Sequence, residues 1–497
     1  MKKRQIVFIM TDTTRFDMVG CYGYPDMKTP NIDALAKNGL ICERAYTCQP
    51  VCGPARSSIF TGLYPHSNGS FTNSYPLGAN VKTIGQRLSD NGIKTAYVGK
   101  WHLDGGDYFG LGRCPEGWDP EYWYDMRCYL DELDENDRLR SRKPRTNAEG
   151  ICEEFTYAHR CADRAIKFLN SNSEEDFFLV LSLDEPHDPC LCPEPYASMY
   201  RDYEFPKSPN VYDTLENKPY YQKLWAAERL HADRSDLKIK PAYFLGCNSF
   251  ADYEIGRVTD VVHKLAPDAL IIFTSDHGDA LQSHRLVGKG ASVYDEIARI
   301  PLIFSGNVEK GKYPYPVSHI NLAPTILEYM GIPVPKLMEG KSVLPILSDK
   351  TQRVNDYVYI EFTRYEVDHD GFGGLQMMRG VYDGRYKLAI HLLDETDEFY
   401  DLAEDPYEMN NLIYSEKYKA ERDRLHDALL LNMDVTRDPF RGYQWETRKW
   451  RIDAPEPNYE NHGYTRQREN EEYEPRQLDY STGLPFENAT RIKKLGK

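Results

Sequence analysis

Acidic and imidazole side chains follow two of the apolar runs in this sequence. Asp12 follows the run at 5–10, and Asp276 and His277 follow the run at 269–275. Carboxylate oxygens and imidazole nitrogens are ligands that divalent cations take in proteins. A single Asp or His at such a position is more often a cap or a surface residue. A metal site is therefore expected only if the two runs are neighbouring strands.

Basic residues and further histidines occur in similar positions. They are Lys100 and His102 in "GKWHLDG", His187 in "DEPHDP" and Lys289 in "LVGKGASVYDE". Taken singly, a Lys is usually a solvated charge and a His is often a satisfied core residue. Gathered round a cation, they would supply fixed positive charge for the oxygens of a tetrahedral anion and acid–base groups for a departing atom.

The stretch "TCQPVCGPARSSIFTG" carries a further reactive group, a cysteine thiol. Cys52 precedes a helix-favouring run, and Arg56 follows four residues later. A helix N-terminus and a nearby guanidinium both lower the pKa of a thiol. From the residues alone, Cys52 could be a thiolate nucleophile, a metal ligand or an inert small residue.

These residues need a scaffold that brings strand ends together, and the sequence predicts one. Helix-like stretches at 31–39, 81–92 and 161–172 lie between apolar runs at 5–10, 95–99, 176–183, 269–275 and 300–306. This alternation is typical of an α/β fold with a large, mostly parallel sheet sandwiched by helices. Sites in such sheets form at the carboxyl ends of the strands. The candidate residues lie at those ends or on the adjoining loops.

The pattern changes near residue 349. Runs at 356–362, 377–392 and 397–402 indicate antiparallel strands, the middle run containing an Asp383-Gly384 turn, and 418–433 indicates a helix. We predict an α/β catalytic domain over 1–348, a smaller α+β subdomain with an antiparallel sheet over 349–436, and a Tyr-, Pro- and Arg-rich tail over 437–497. We expect the tail to be extended and packed on the body or on a neighbouring subunit, as in a homo-oligomer.

Composition restricts the class of protein and of partner. The 497 residues are 41% hydrophobic and 28% charged, which are values of a folded globular chain. The net charge of −16 argues against nucleic acid and anionic membranes as partners. The N-terminal apolar run is too short for a signal peptide, and no run reaches the ~20 apolar residues of a membrane span. Eleven irregularly spaced cysteines suit free thiols, so we expect a cytoplasmic protein.

Several motifs resemble one enzyme family. "CGPARSSIFTG" is similar to the Cys-x-Pro-x-Arg motif of type I sulfatases in the alkaline phosphatase superfamily, and "GKWH", "PHDP" and "TSDHGD" with the later "GKG" follow in that family's order. The resemblance covers residues 4 to 415 and is greatest to a bacterial cytoplasmic subgroup. It implies an alkaline phosphatase-like fold. It also implies that a maturase converts Cys52 to Cα-formylglycine.

The resemblance implies a role for each basic and imidazole residue named above. The hydrated aldehyde would attack sulfur, form a covalent sulfo-enzyme as the alcohol leaves, and then release sulfate. Arg56 and Lys100 would hold the hydrate and the ester oxygens, and His102 would take the hydroxyl proton during sulfate release. His187 and Lys289 would contact sulfate and protonate or stabilise the leaving oxygen.

The resemblance further implies a divalent cation bound by Asp12, Asp276, His277 and the modified Cys52. Two positions depart from the family pattern. Many members have a second aspartate where this chain has Thr13, and an asparagine where it has His277. Calcium is the ion that the resemblance implies, while the added nitrogen makes Mg²⁺, Mn²⁺ and Zn²⁺ alternatives. Whether Thr13 is also a ligand stays open.

Two loops and one asparagine could contact the alcohol part of a substrate. We expect "EFTRYEVDHDGFGG" to reach over the pocket with Arg364, Tyr365, His369 and Asp370 as contacts, and Asn73 to point into the pocket. The aromatic loop at 107–125 is expected to pack rather than to stack on a sugar. A cytoplasmic location favours a small sulfated carbohydrate as the substrate.

Two other functions stay open at this point. Phosphonate monoester and phosphodiester hydrolases of the same superfamily share the "CGPAR" stretch and the Asp-His pair, although they lack "GKWH" and "PHDP" in this form. A catalytically inactive, anion-binding pseudo-sulfatase with an unmodified Cys52 is the second alternative. It fits poorly, because every position that the family uses in catalysis is filled here.

Overall fold

A computed structural model describes residues 3–78, 80–105, 108–365 and 374–457. Within these ranges the strands are β1 Gln5–Thr11, β2 Gly39–Tyr46, β3 Lys94–Gly99, β4 Phe177–Ser182, β5 Leu270–Ser275, β6 Arg299–Ile300, β7 Leu302–Ser305, β8 Gly311–Ser318, β9 Val358–Arg364, β10 Leu375–Tyr382, β11 Tyr386–His391 and β12 Glu398–Asp401. The α-helices are α1 Pro30–Lys37, α2 Cys52–Thr61, α3 Pro65–Asn68, α4 Ile84–Asp90, α5 Met126–Asp131, α6 Glu135–Arg140, α7 Tyr157–Asn172, α8 Tyr196–Met199, α9 Tyr220–Ala226, α10 Ala242–Leu265, α11 Asp295–Ala298, α12 Leu322–Tyr329, α13 Lys419–Thr436 and α14 Tyr443–Glu446.

The large sheet has the strand order β3-β4-β1-β5-β7-β2-β6, with β8 paired to β2. Strands β3, β4, β1 and β5 are mutually parallel neighbours. Their side chains are apolar on both faces because helices cover both: α1, α7 and α10 pack on one face, and α2, α4 and α12 on the other. The predicted α/β fold with a sandwiched, mostly parallel sheet is confirmed.

Three strands differ from the sequence-based expectation. The run at 300–306 contains β7, which is antiparallel to β5. The segment between them returns the chain to the sheet at the carboxyl end of β5, so no crossover to the opposite end occurs. Strand β2 was not predicted, since Cys, Glu and Arg interrupt its apolar run. Strand β8 contains two prolines and lies at the margin of the sheet, where a missing N–H donor is tolerated.

The second sheet is antiparallel, with the order β12-β11-β10-β9. An Asp383-Gly384 turn joins β10 to β11, and Gly384 has a φ of 105°, which suits glycine. Helix α13 packs on one face of this sheet. The other face contributes Val358, Ile360 and Phe362 to a core shared with Val293 and Tyr294, which directly precede α11. The predicted antiparallel sheet and helix are therefore present.

The first part of the tail packs on this smaller sheet. Trp445 of α14 is fully buried, and Arg448 pairs with Asp397 at 2.8 Å. Residues 458–497, the remainder of the predicted tail, lie outside the described residues. No helix among the described residues is long and apolar enough to span a membrane. All eleven cysteines lie within the described residues, and none of them forms a disulfide.

A buried charge cluster joins α3 to the smaller sheet. His66 Nδ1 lies 2.5 Å from Glu361 Oε2, and Arg379 binds Asp438 at 2.6 Å. Burial alone would lower the pKa of His66, but the charges of Glu361 and Asp438 outweigh it, so the pKa is raised. Imidazolium is therefore the form that stabilises the fold.

We predict that this contribution declines with rising pH. The stabilisation by His66 is fully present below the unfolded-state pKa of about 6.5 and is lost as the pH rises through the raised folded-state pKa. Its size is about 1.4 kcal/mol for each pH unit that separates the two pKa values. The free energy of unfolding that His66→Gln removes should thus be larger at pH 6 than at pH 9, as measured by urea denaturation. Burial lowers the pKa of His426 to about 3, so His426→Gln should show the opposite trend. Parallel trends for the two variants would contradict the prediction.

Candidate active site

The carboxyl ends of the parallel strands meet at one edge of the large sheet. Asp12 follows β1 and Asp276 follows β5, and the two strands pair in a register that sets Thr11 opposite Ser275. Lys100 follows β3, and β4 leads into the segment that contains His187. Strand β2 points to the same edge, since it is antiparallel to β7 and β7 is antiparallel to β5. Helix α2 therefore begins there too.

Cys52 is the first residue of α2 and is only 1% exposed. Its Sγ lies 2.9 Å from Lys289 Nζ, 3.2 Å from His277 Nε2 and 3.7 Å from Asp12 Oδ1. Burial and the Asp12 charge would raise the pKa of this thiol. The nearby cations, Lys289 first and then Lys100, outweigh these two effects and hold the pKa of the Cys52 thiol well below its usual range. The pKa is lowered in the direction expected from the sequence, although Lys289 and Lys100 cause the shift and not Arg56.

Four side chains converge on one point and fit the donor set of a divalent cation. One ligand atom from each of Asp12, Cys52, Asp276 and His277 lies within 4.8 Å of the others, and all four residues are buried. His277 Nδ1 lies 2.8 Å from the carbonyl oxygen of Gly278, which can only accept, so Nδ1 carries the hydrogen. In the neutral ring the lone pair of Nε2 is thus directed to the cluster, as a metal-binding imidazole requires.

The two carboxylates of this donor set differ in their protonation. Burial alone would raise the pKa of Asp12, but Lys100, Lys289 and other nearby cations hold it well below its usual range. Burial and the charge of Asp12 raise the pKa of Asp276 to about 6. The pair thus carries one firmly ionised carboxylate and one that a bound cation would help to ionise.

Arg56 binds both carboxylates from one turn further along α2. Its Nη2 lies 3.0 Å from Asp12 Oδ2 and its Nε 3.1 Å from Asp276 Oδ2. Its Nη1 donates to the carbonyl oxygen of Lys100 at 2.6 Å and to Ser182 Oγ at 2.8 Å. The guanidinium is fully buried, and its planar fork fixes the separation of the two carboxylates.

Thr13 supports the same carboxylates. Its hydroxyl donates to Asp12 Oδ1 at 2.7 Å, and its backbone N–H donates to Asp276 Oδ1 at 3.1 Å. Its φ of 71° is uncommon for a β-branched residue, and it is the conformation that directs this N–H at Asp276. The structure thus places the hydroxyl on a carboxylate of the donor set.

Lys100 is buried between two carboxylates. Its Nζ lies 2.8 Å from Asp12 Oδ2 and 3.0 Å from Asp184 Oδ1. Burial would lower its pKa, but these two charges raise it above the ordinary lysine value. Neither contact has hydrogen-bond geometry, and Nζ has no such partner in the part of the chain described here. Both contacts are ion pairs, so the ammonium is held beside Asp12 and places positive charge at the site.

The two histidines differ in their surroundings. His102 is buried, its Nδ1 has no hydrogen-bond partner among the described residues, and burial lowers its pKa. A neutral imidazole is therefore available as a proton acceptor. His187 is half-buried at the mouth of the site, where its Nδ1 lies 3.1 Å from Tyr108 Oη.

Lys289 reaches Cys52 from the loop between β5 and α11. Tyr365 holds this loop, because its hydroxyl accepts the backbone N–H of Ala291 at 2.9 Å. The Tyr365 ring also occupies the space that a Cβ at Gly290 would need, which explains the second glycine of "GKG". Tyr365, which we expected to contact substrate, thus supports the loop that carries Lys289.

The other expected substrate contacts are placed as follows. Asn73 Oδ1 accepts the backbone N–H of Gly53 at 2.7 Å, so this side chain binds the first turn of α2. Arg364 Nε donates to the carbonyl oxygen of Tyr365 at 3.1 Å. His369 and Asp370 lie outside the described residues.

A cavity of about 410 Å³ opens beside Lys289, His187 and Thr13. Its wall combines carboxylates with apolar and aromatic side chains from other loops and from the first turn of α10. These residues are Pro144, Asp188, Pro189, Pro241, Tyr243, Phe244, Asp279 and Leu281. Arg364 and Tyr365 are not part of this lining as far as the structure describes it.

Sequence reasoning missed three residues that complete the site. Asp184 pairs with Lys100, Ser182 accepts from Arg56, and Tyr108 binds both Asp184 and His187. Asp184 had a usable signal, since it is the first acidic residue after β4, as Asp12 is after β1. Nothing in the sequence distinguishes Tyr108 from the other aromatic residues of its loop.

Comparison with known proteins gives a consistent set of relatives. A family model described as Sulfatase matches residues 4–332, and one described as N-sulphoglucosamine sulphohydrolase, C-terminal, matches residues 283–434. The uncharacterized sulfatase YidJ of Escherichia coli (strain K12) is 42% identical over 510 residues, which cover 100% of both chains. The N-acetylglucosamine-6-O-sulfatase of Bacteroides thetaiotaomicron is 24% identical, with 86% of each chain covered.

Solved structures share the fold at lower identity. An enzyme in complex with its substrate D-glucosamine-2-N,6-O-disulfate superposes with a TM-score of 0.73 at 21% identity, covering 88% of this chain and 99% of the other. The phosphonate monoester hydrolase of Agrobacterium radiobacter superposes with a TM-score of 0.73 at 22% identity, covering 87% and 96%. Both likenesses concern the fold alone.

Proposed function

The chain belongs to the sulfatase family and is a sulfuric ester hydrolase, and we propose that its substrate is a small sulfated carbohydrate. We further propose that Cys52, converted to Cα-formylglycine, provides the nucleophile. The observation that carries this proposal is the position of Cys52: buried at the start of α2, with Lys289, His277 and Asp12 within 4 Å. The hydrated aldehyde would supply one hydroxyl for attack on sulfur and a second for sulfate release.

The donor set fits a divalent cation, with Asp12, Asp276, His277 and residue 52 as its ligands. When bound, the ion would supply positive charge at a sulfate oxygen and at the nucleophile. We propose Ca²⁺, which takes carboxylate oxygens, with Mg²⁺, Mn²⁺ and Zn²⁺ as the alternatives that the imidazole admits. Thr13 would orient Asp12 and Asp276 rather than act as a ligand.

The remaining residues of the site would bind the sulfate group and move protons. Arg56 would fix the two carboxylates. Lys100 and Lys289 would hold sulfate oxygens, because both are cations of the site: Lys100 lies beside Asp12 and Lys289 beside Cys52. His102, the buried neutral imidazole, would take the hydroxyl proton at residue 52, and His187, at the cavity mouth, would give a proton to the leaving oxygen.

We predict that a divalent cation stabilises the fold. Binding to the folded chain alone should raise the free energy of unfolding by about 2.7 kcal/mol at a free ion concentration ~100 times Kd. Thermal unfolding should be followed after chelation and after adding Ca²⁺, Mg²⁺, Mn²⁺ or Zn²⁺ separately. Asp276→Asn should abolish the shift in Tm, while Asp17→Asn, at a buried carboxylate outside the donor set, should keep it. The absence of a shift with all four ions would contradict the assignment.

The alcohol part of the substrate would occupy the cavity beside Lys289. Its volume of about 410 Å³ lies within the ~300–1,000 Å³ of small-molecule sites. Tyr243 and Phe244 offer apolar surface for one face of a sugar ring, and Asp188 and Asp279 can accept its hydroxyl hydrogens. We propose a mono- or disaccharide sulfate rather than an intact polymer.

Phosphonate monoester or phosphodiester hydrolysis is the second candidate. The Asp276-His277 pair and the shared fold of a phosphonate monoester hydrolase favour it. A panel of sugar monosulfates, 4-nitrophenyl sulfate, bis(4-nitrophenyl) phosphate and a phenylphosphonate monoester should separate the two. Sulfate esters should be turned over with the higher kcat/KM. A clear preference for the phosphorus esters would overturn the proposed function.

We also propose where the enzyme acts and which proteins it meets. The eleven unpaired thiols and the acidic net charge are consistent with the cytoplasm. A formylglycine-generating maturase would have to act on Cys52 before folding, because α2 is buried in the folded chain. The tail over 437–497 would contribute to a homo-oligomer, which light scattering of the full chain and of a chain ending at residue 457 would test.

A further inference from the structure

Tyr108 lies among the residues that surround the sulfate end of the site. Its Oη is 2.5 Å from Asp184 Oδ1 and 3.1 Å from His187 Nδ1. Lys100 Nζ lies 4.1 Å from the centre of its ring, and the His102 ring meets it edge-on at 5.7 Å. One side chain thus contacts both histidines and the Lys100–Asp184 pair.

The direction of the hydrogen bonds can be worked out from the partners. His187 Nδ1 also lies 3.0 Å from the carbonyl oxygen of Asp188, which can only accept. The hydrogen of His187 is therefore on Nδ1, where Asp188 O and Tyr108 Oη share it. Tyr108 in turn donates its own hydrogen to Asp184, since an ionised carboxylate only accepts.

This arrangement leaves the second nitrogen of His187 available. Nε2 has no hydrogen-bond partner among the described residues, and the His187 side chain lines the cavity with Lys289 and Thr13. Burial, followed by the charge of Asp184, raises the pKa of Tyr108, so the phenol remains protonated and keeps its place in the chain of hydrogen bonds.

We propose that Tyr108 is a positioning residue that orients His187 as the acid for the leaving group, an inference that rests on the proposed function. In this step a hydroxyl oxygen of the hydrated residue 52 forms a bond to sulfur, the bond between sulfur and the leaving oxygen breaks, and its electron pair stays on that oxygen. The oxygen takes the proton of Nε2, and His187 becomes neutral while keeping its hydrogen on Nδ1. The hydrogen bond to Tyr108, which is itself bound to Asp184, prevents the His187 ring from flipping.

The test is Tyr108→Phe, which removes the hydroxyl and keeps the ring that Lys100 contacts. It should be assayed on a series of aryl sulfates from 4-nitrophenyl sulfate to phenyl sulfate. A good leaving group needs little protonation, so 4-nitrophenyl sulfate should be turned over within about 3-fold of wild type, while phenyl sulfate should lose about 10²-fold in kcat/KM. An equal loss across the series, or none, would overturn the proposal.

Two further measurements separate a positioning role from a merely structural one. In a double-mutant cycle, adding Tyr108→Phe to His187→Gln should not change how kcat/KM depends on the leaving group. An additive effect of the two substitutions would overturn the proposal. Tyr129→Phe, which removes a buried hydroxyl bound to Phe155 O at 2.7 Å, is the matched control and should lower Tm without that dependence.

Nitrogen NMR of wild-type His187 gives a reading that needs no variant. It should show the hydrogen on Nδ1 in the neutral ring, and a hydrogen on Nε2 would overturn the proposal. Failure of the wild type to hydrolyse any sulfate ester would count against the proposed function instead. The state of the His187 ring could still be read in that case.

Discussion

Replacing Cys52 by alanine should lower kcat/KM for every sulfate ester by about 10⁴-fold or more, because it removes the proposed nucleophile. The change removes one small side chain at the start of α2, so the fold should persist. Steady-state assays with 4-nitrophenyl sulfate and thermal unfolding of the same preparation measure the two effects. The expected result is an inactive protein that still unfolds cooperatively.

Cys48→Ala is the matched control for that variant. Cys48 is also fully buried and lies four residues away, with its Sγ 3.3 Å from Ser318 Oγ. Burial raises its pKa to about 12, so it is an inert thiol. Its replacement should leave kcat/KM within about 3-fold of wild type and lower stability by about 1 kcal/mol. Comparable activity in the two alanine variants would contradict the role of Cys52.

Arg56→Lys should be nearly as damaging, although it preserves the charge. A lysine ammonium cannot replace the fork that binds Asp12, Asp276, Ser182 and the Lys100 carbonyl oxygen together. Breaking this buried network should lower the free energy of unfolding by about 3–5 kcal/mol. The two carboxylates would also lose their fixed separation, so we expect kcat to fall by about 10³-fold in the fraction that remains folded.

Arg379→Lys separates lost stability from lost catalysis. Arg379 lies in the smaller sheet, is likewise buried and binds Asp438 through two nitrogens, at 2.6 and 3.2 Å. We expect a comparable loss in urea denaturation but near-normal turnover per folded molecule. If Arg56→Lys retained full turnover per folded molecule, the clamp on the carboxylates would not matter for catalysis.

The part of the site built on strand ends was predictable from the sequence. An apolar run followed at once by a polar residue marks the end of a buried parallel strand, and neighbouring parallel strands end at one edge. Asp12 and Asp276 follow this rule and share Arg56 as a partner. Lys100 and Asp184 follow it on the next two strands and pair with each other.

The part built on loops was not predictable in the same way. The connection from β5 to α11 lacks periodicity, so only the family motif pointed to Lys289. Asn73 and Tyr365 were expected to contact substrate because they are polar residues in flexible-looking loops. In the structure each binds a backbone N–H, of Gly53 and of Ala291 respectively, and contact with substrate stays a prediction. Nothing local in a sequence tells whether a polar loop residue faces a ligand or the backbone.

The wall of the cavity illustrates a further limit of sequence reasoning. Tyr243 and Phe244 lie in the first turn of α10, 56 and 57 residues after His187, in a stretch whose apolar pattern is typical of ordinary helix core. Their position beside Lys289 follows from how α10 packs on α7 and α8, a tertiary effect. Predictions of substrate contacts therefore had the weakest basis in the sequence.

Peptide mass spectrometry across residue 52 tests the central claim most directly. The protein should be isolated from its native source, where a maturase would act, and the peptide that contains "CGPAR" should be sequenced by fragmentation. We expect an aldehyde at residue 52 and an unmodified thiol at Cys48 of the same molecule. An intact thiol at residue 52 in protein that hydrolyses sulfate esters would contradict it.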